Sequence, residues 1–242
     1  MRFLLILFSI LFCSCSSAQQ KVDFEIKGIA FEAPKTDVTS NTFLPIKELG
    51  ANYICLMPYA FTRNGEPDIK FNSDWQWKGE REEGIIQSIN SVRKNKLKIM
   101  IKPHLWIHSQ FTGDVKFNNE DEWKRWEKSY SDYILFYAKM AETHNVELFC
   151  IGTELKTFVN DRPQFWSDLI LNVQCVYKGK ITYAANWDNY KNIPFWRNLD
   201  FIGIDAYFPL SEKKNPTLVE LNTSWQKWWN EIEQTSKDNL KP

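Results

Sequence analysis

The stretch VELFCIGTELK, residues 146–156, decides how this chain reads. Leu148, Phe149, Cys150 and Ile151 form a short apolar block of the kind expected in a parallel strand covered on both faces. Gly152 and Thr153 follow, and Glu154 then stands where the strand should open into a loop. Taking an unpaired carboxylate out of water is costly, so such a position is solvated, paired or used. The strand alone does not decide which.

Similar strands recur on both sides of it, at residues 24–31 (FEIKGIAF), 52–59 (NYICLMPY), 97–103 (LKIMIKP), 180–185 (KITYAA) and 200–207 (DFIGIDAY). Helical patterns fall between them. A short helix capped by Thr39/Ser40 ends at Leu49-Gly50. Residues 82–94 carry Ile85, Ile86, Ile89 and Val92 at helical spacing, and residues 120–143 carry a stripe of Trp123, Trp126, Tyr130, Tyr133, Tyr137 and Met140. Pro163 opens a helix over 163–177, and a short helical piece surrounds Phe195. The helix over 217–235 is predicted to turn Leu218, Leu221, Trp225, Trp228 and Ile232 inward.

Alternating strands and helices imply a parallel sheet with right-handed crossovers. The helix-to-strand links are tiny, whereas the strand-to-helix links over 61–79 and 105–119 are long, polar and aromatic. In a (β/α)₈ TIM barrel that asymmetry puts the elaborated loops on the C-terminal face, where active sites of the fold lie. A doubly wound sheet is the alternative, but no glycine-rich phosphate loop follows the first strand. The fold expected is α/β, of the (β/α)₈ type, with only about six βα units present: an incomplete barrel lacking strands 7 and 8.

Of 242 residues, 43% are hydrophobic, 30 are basic and 30 acidic, enough for one large core and with no charge excess to attract nucleic acid. Most of the 11 tryptophans are expected to be core; a few have the alternative use of stacking on sugar rings. The start, MRFLLILFSILFCSCSSAQQ, has Arg2, an apolar run too short to span a bilayer, and then small residues, as a secretory signal does. Residues 1–18 are read as that signal, with cleavage before Gln19 or, in the lipoprotein manner, lipidation at Cys15. Export to the periplasm, cell surface or medium follows from either. Cys55, Cys150 and Cys175 are expected as buried free thiols. With His104, His108 and His144 as the only histidines and no HExxH, neither a metal nor a cofactor is expected. No serine sits in GxSxG and no cysteine has an evident histidine partner, which leaves carboxylate chemistry.

Polar groups collect at the predicted strand ends. Lys102 and His104 close strand three with Trp106 beyond; Glu154 closes strand four; Asn186, Trp187 and Asp188 close strand five; Asp205 and Tyr207 close strand six. Each has a plain alternative. Glu154 could be a rim carboxylate paired with Lys102, Trp187 could be core, and Asp188 and Asp205 could brace loops. Glycoside hydrolysis needs a protonated acid at the leaving oxygen and a second carboxylate, about 5–5.5 Å away in retaining enzymes and about 6.5–9.5 Å in inverting ones. A glutamate half desolvated at a strand end suits the acid, because desolvation raises its pKa.

The motifs KGIAFE, KPHLWIH, LFCIGTELK, ITYAANWDNY and LDFIGIDAYFPL, in this order from Lys27 to Leu210, resemble those of glycoside hydrolase family 113, which holds retaining β-mannanases on a clan A (β/α)₈ barrel. The resemblance implies a partial glycosidase barrel over 19–242 that cleaves β-1,4-mannan endo-wise by double displacement. It implies Glu154 as acid/base, Tyr207 as the residue orienting the nucleophile, and Lys102, His104, Asn186 and Trp187 along the sugar cleft. Trp106, Asp188 and Asp205 are added as substrate-binding candidates from their strand-end positions. Clan members often place Asn before the acid/base; Thr153 stands here, so the contact to the sugar 2-hydroxyl is expected from elsewhere. The family's nucleophile, a glutamate ending strand seven in a context like TEIGY, is expected beyond the chain end, as is a tryptophan ending strand eight. Glu231 and Glu233 are read as solvated helix positions instead. A non-catalytic carbohydrate-binding barrel, and an inverting glycosidase with Asp205 or Asp188 as base, are the alternatives. The partner expected is a poly- or oligosaccharide, with membrane contact only through Cys15 and a monomeric state.

Overall fold

A computed structural model describes residues 25–242, so the signal and Cys15 lie outside the described residues. The order is β1 (Gly28–Glu32), α1 (Ser40–Glu48), β2 (Tyr53–Met57), β3 (Tyr59–Arg63), α2 (Glu82–Lys94), β4 (Lys98–Ile101), β5 (His104–His108), α3 (Glu120–Thr143), β6 (Leu148–Thr153), α4 (Lys156–Asp161), α5 (Pro163–Val176), β7 (Lys180–Asn186), β8 (Phe201–Asp205) and α6 (Leu218–Asn239). Six strands pair in parallel in the order β1-β2-β4-β6-β7-β8, a curled half-barrel of the (β/α)₈ type. Each predicted βα unit adds one strand beside the last, as short connections require.

Burial follows the sheet order. All six residues of β6 are buried, whereas β1 alternates between exposed and half-buried and β8 is half-buried throughout. The core therefore sits where β6 and β7 meet α3 and α5. The whole predicted α3 stripe is buried there, with Trp126, Tyr133 and Tyr137 fully so. Asn119 starts α3 by accepting the Glu122 N–H, and Glu120, Asp121 and Glu122 place negative charge where the helix dipole favours it.

Four expectations are corrected. The stretches after Pro58 and Pro103 are not loops at once: β3 and β5 form a second, two-stranded parallel sheet. Proline lacks the N–H that a continuous ladder needs, so each strand breaks there and resumes, with the His104 N–H donating to the Pro58 carbonyl. The short helix α4, directly after Glu154, was not predicted. On α6, Leu221, Trp228 and Ile232 are half-buried, but Leu218 (72% exposed) and Trp225 face outward, and Thr235 is the one buried residue of this helix. Cys150 is buried and Cys55 half-buried, while Cys175 is exposed on α5.

Candidate active site

Glu154 is held in the left-handed region at φ 54°, a conformation non-glycine residues adopt only when their surroundings impose it. Those surroundings are visible. The β6–β7 register shifts between Cys150 and Thr153, a bulge that re-aims the strand end. The Glu154 N–H then donates to the Ala184 carbonyl (2.8 Å), and the Leu155 N–H donates to the Tyr183 hydroxyl oxygen (2.7 Å). Two anchors on β7 thus flank a half-buried carboxylate at the strand end.

Facing it is an ion pair. Lys102 Nζ donates to both oxygens of Asp205, at 2.8 and 3.2 Å. Lys102 directly follows β4 and Asp205 ends β8, three strands apart, which on a flat sheet would be about 14 Å. Contact at hydrogen-bond distance needs the curl, so the pair spans the concave mouth. Lys102 therefore does not pair with Glu154, as the plain alternative had it. Burial would lower the Lys102 pKa, but the Cys150 sulfur and the Asp205 carboxylate outweigh it and the net direction is up. Burial pushes the Glu154 carboxyl up, with Asp205 and Asp188 adding to the rise and Lys102 opposing it. Beneath them, burial pushes the Cys55 thiol up to about 12, which makes it inert.

The other predicted residues divide. His104 is half-buried with its Nδ1 unpartnered; burial, then Lys102, lowers its pKa, and its ring lies 5.1 Å from that of Tyr59. Trp106 stands exposed on β5. Asn186 is half-buried at the end of β7, and its Oδ1 accepts the Asp188 N–H at 3.5 Å. Asp188 pairs with Lys156 at 3.5 Å, which braces the loop beside Glu154. Trp187 packs against Trp228 and Phe208 at 5.8 and 6.3 Å, in an aromatic cluster built by α6. Tyr207 is 79% exposed; its N–H donates to the Asp205 carbonyl, and its ring is not drawn to Glu154. Glu231 is tied to Lys191 and Glu233 accepts from the Trp229 indole, so both serve α6. Sequence reading missed Tyr183, whose buried hydroxyl fixes Leu155, and Glu32, which ends β1. The strand-end rule alone would have flagged Glu32. Among the described residues, no group of three His, Cys, Asp or Glu is placed to hold a metal, and no helix is long and apolar enough to cross a membrane.

A half-buried carboxyl with a raised pKa, beside the Lys102–Asp205 pair at the mouth of a half-barrel, can donate and recover a proton. Comparison with known proteins bears on the fold and the family. The fold matches that of the β-mannanase AaManA from Alicyclobacillus acidocaldarius, solved in complex with ManMIm, at a TM-score of 0.78 and 23% identity, over 90% of this chain and 68% of that one. A second family 113 β-1,4-mannanase, also solved as a complex, matches at a TM-score of 0.72 and 23% identity, over 90% and 70%. A β-glucuronidase from Ruminococcus gnavus matches more distantly, at 0.59 and 12%, over 89% of this chain and 34% of that one. Among curated proteins no significant sequence match is found. The model of glycoside hydrolase family 113 matches residues 31–242, and the chain belongs to that family.

Proposed function

We propose that the chain acts in retaining, endo-wise cleavage of β-1,4-mannan, with Glu154 first as general acid and then as general base. The observation that carries this reading is the placement of Glu154: a carboxylate held in the left-handed region at the end of the most buried strand, with its pKa raised by burial and then by Asp205. Mannan is supported by family membership and by the mannanases that share the fold. In double displacement the acid protonates the departing glycosidic oxygen while a carboxylate attacks the anomeric carbon; the acid, now ionised, then takes a proton from the water that releases the sugar. Lys102 would hold the Asp205 carboxylate in place beside Glu154 through its two hydrogen bonds. The nucleophile is proposed to be a glutamate ending a strand laid against the far edge of β8. That edge is already in use at one point, where the Ile202 N–H donates to the Pro242 carbonyl at 2.8 Å. Export, free or lipidated at Cys15, is proposed from the composition of residues 1–20.

The stereochemistry of the first product tests the mechanism. Proton NMR of early mannohexaose hydrolysis is expected to show the β-anomer first, with the α-anomer growing in later by mutarotation. Inversion with Asp205 or Asp188 as base is the second reading, favoured by the fact that both carboxylates act electrostatically on Glu154. It would give the α-anomer first.

The pH profile follows from the same charges. The first step needs protonated Glu154, so the rate should fall as pH rises through its pKa, which lies above the ordinary glutamate value. Asp205→Asn removes a charge that raises this pKa and frees Lys102, which lowers it. The alkaline limb of kcat/KM should therefore move to lower pH in that variant. A limb that stays in place or moves up would remove Glu154 as its origin.

A further inference from the structure

The paired strands β3 and β5 carry a feature that the Glu154 site does not use. Their register sets Tyr59 opposite His104, Phe61 opposite Trp106, and Arg63 opposite His108. Alternate residues of a strand share a face, and on both strands these are the accessible ones, while Ala60, Thr62, Leu105 and Ile107 point into the protein and are buried. One face of this small sheet is thus a row of rings. It begins at His104, beside Lys102, and runs outward for about 13 Å.

Trp75 makes the wall of that face. Its ring meets Phe61 edge-on at 5.1 Å, and it is 60% exposed, as Trp106 is 56% exposed. The loop bearing Trp75 is fixed in place. Phe61 and Lys70 exchange two backbone hydrogen bonds at 2.8 Å, and Gln76 donates to the Tyr59 carbonyl at 2.8 Å while accepting the Ser73 N–H. Phe61, Trp75 and Trp106 line two adjoining cavities of about 370 and 450 Å³. Arg63 and His108 border the smaller cavity; Glu32 and the buried Glu80 border the larger.

Two indoles held in water by a rigid frame are unfavourable unless something covers them. A flat partner with apolar faces and hydroxyls at its edges fits the arrangement. The rings take the faces, Glu32 and Glu80 accept from hydroxyls, and Arg63 donates to them. A β-1,4-linked hexopyranose chain has this shape, because its equatorial linkages keep it extended and leave axial C–H groups on the ring faces. An apolar peptide would leave the charged borders unpaired.

We propose that the ring-bearing face of β3 and β5, walled by Trp75, is a run of remote subsites that holds a β-1,4-linked hexopyranose chain several sugars from the bond at Glu154. It rests on the glycosidase reading of that site, because the run starts at His104. It adds a determinant of chain-length preference that acts through binding alone.

Calorimetric titration of the wild-type chain and of the double variant Trp75→Ala/Trp106→Ala, with mannobiose, mannohexaose and cellohexaose, tests it. Hexaose affinity should fall on the order of ten- to a hundredfold in the alanine variant, while biose affinity stays unchanged. Trp75→Phe/Trp106→Phe should restore most of the hexaose affinity, which separates stacking from damage to the loop. Equal hexaose affinity in wild type and alanine variant would overturn the proposal, as would loss shared equally by biose and hexaose, or no hexaose binding to the wild type. Cellohexaose binding that needs the two tryptophans, with no mannohexaose binding, would keep the groove and overturn mannan as the substrate.

Discussion

In a chain that also carries the proposed nucleophile, Glu154→Gln is expected to lower turnover of β-mannan by about 10²–10⁴-fold, the range that a positioned general acid contributes. Glutamine keeps the size and the planar end of the side chain, so the two anchors at Ala184 and Tyr183 should hold and substrate should still bind. What is lost is the proton. A mannoside with a good aryl leaving group needs little help to depart, so its first step should suffer far less than cleavage of mannan. That contrast separates lost acid catalysis from a disturbed fold. Near-normal mannan turnover by the variant would end the assignment of Glu154.

Trp166→Ala should be the most damaging core substitution near the site. Trp166 is fully buried and packs against Phe158, Tyr183, Phe195 and Tyr130 at ring distances of 5.2, 5.4, 5.4 and 5.7 Å. It also fills the space that Gly152 leaves open: a Cβ at Gly152 would lie 2.9 Å from the Trp166 ring. Truncation removes a large apolar ring from a place that collapses poorly, because the four aromatic rings around it are themselves packed together. The expected cost is about 3–5 kcal/mol. For a chain of this size that lowers Tm by on the order of 10 °C. Because Tyr183 leans on Trp166 and its hydroxyl fixes Leu155, kcat should fall as well, even below the melting transition. Trp166→Phe should recover much of the stability. A melting temperature within a degree or two of wild type in the alanine variant would show that this cluster does not hold β6 and β7 in place.

The helices α2 and α3 were legible to the residue from the spacing of their apolar residues. So was β6: a continuous apolar run is what a strand covered on both faces looks like, and all six of its residues are buried. The second sheet was not legible. Pro58 and Pro103 read as strand ends, and nothing local shows that the chain resumes pairing one residue later. On α6 the spacing of Leu218 and Trp225 is that of a buried face, but burial needs a neighbour, and the described sheet covers only part of that helix. Trp187 could be core or platform from sequence alone; its place against Trp228 and Phe208 depends on where a helix about forty residues later packs.

For the site, the strand-end rule brought Lys102, Glu154 and Asp205 to the same rim, and the structure adds how they divide the charge. The rule could not tell which carboxylate takes the lysine, because pairing across the mouth depends on the curl of the sheet. Asp205 takes it, and that leaves Glu154 free of a direct ion pair with Lys102 and with a raised pKa. Nor could it see the left-handed backbone at Glu154, which directly follows the register shift between β6 and β7.

Azide rescue of Glu154→Ala tests the central claim most directly. With an activated aryl β-mannoside, the alanine variant of a chain that also carries the proposed nucleophile should form the glycosyl-enzyme but lack a base to activate water, so intermediate should accumulate and turnover should be slow. Azide, a small anion that needs no deprotonation, can enter the space left by the carboxylate and attack the anomeric carbon. Glu154 as acid/base of a retaining enzyme predicts that added azide raises turnover and that β-mannosyl azide is the product. Turnover indifferent to azide, or a product of α configuration, would contradict it.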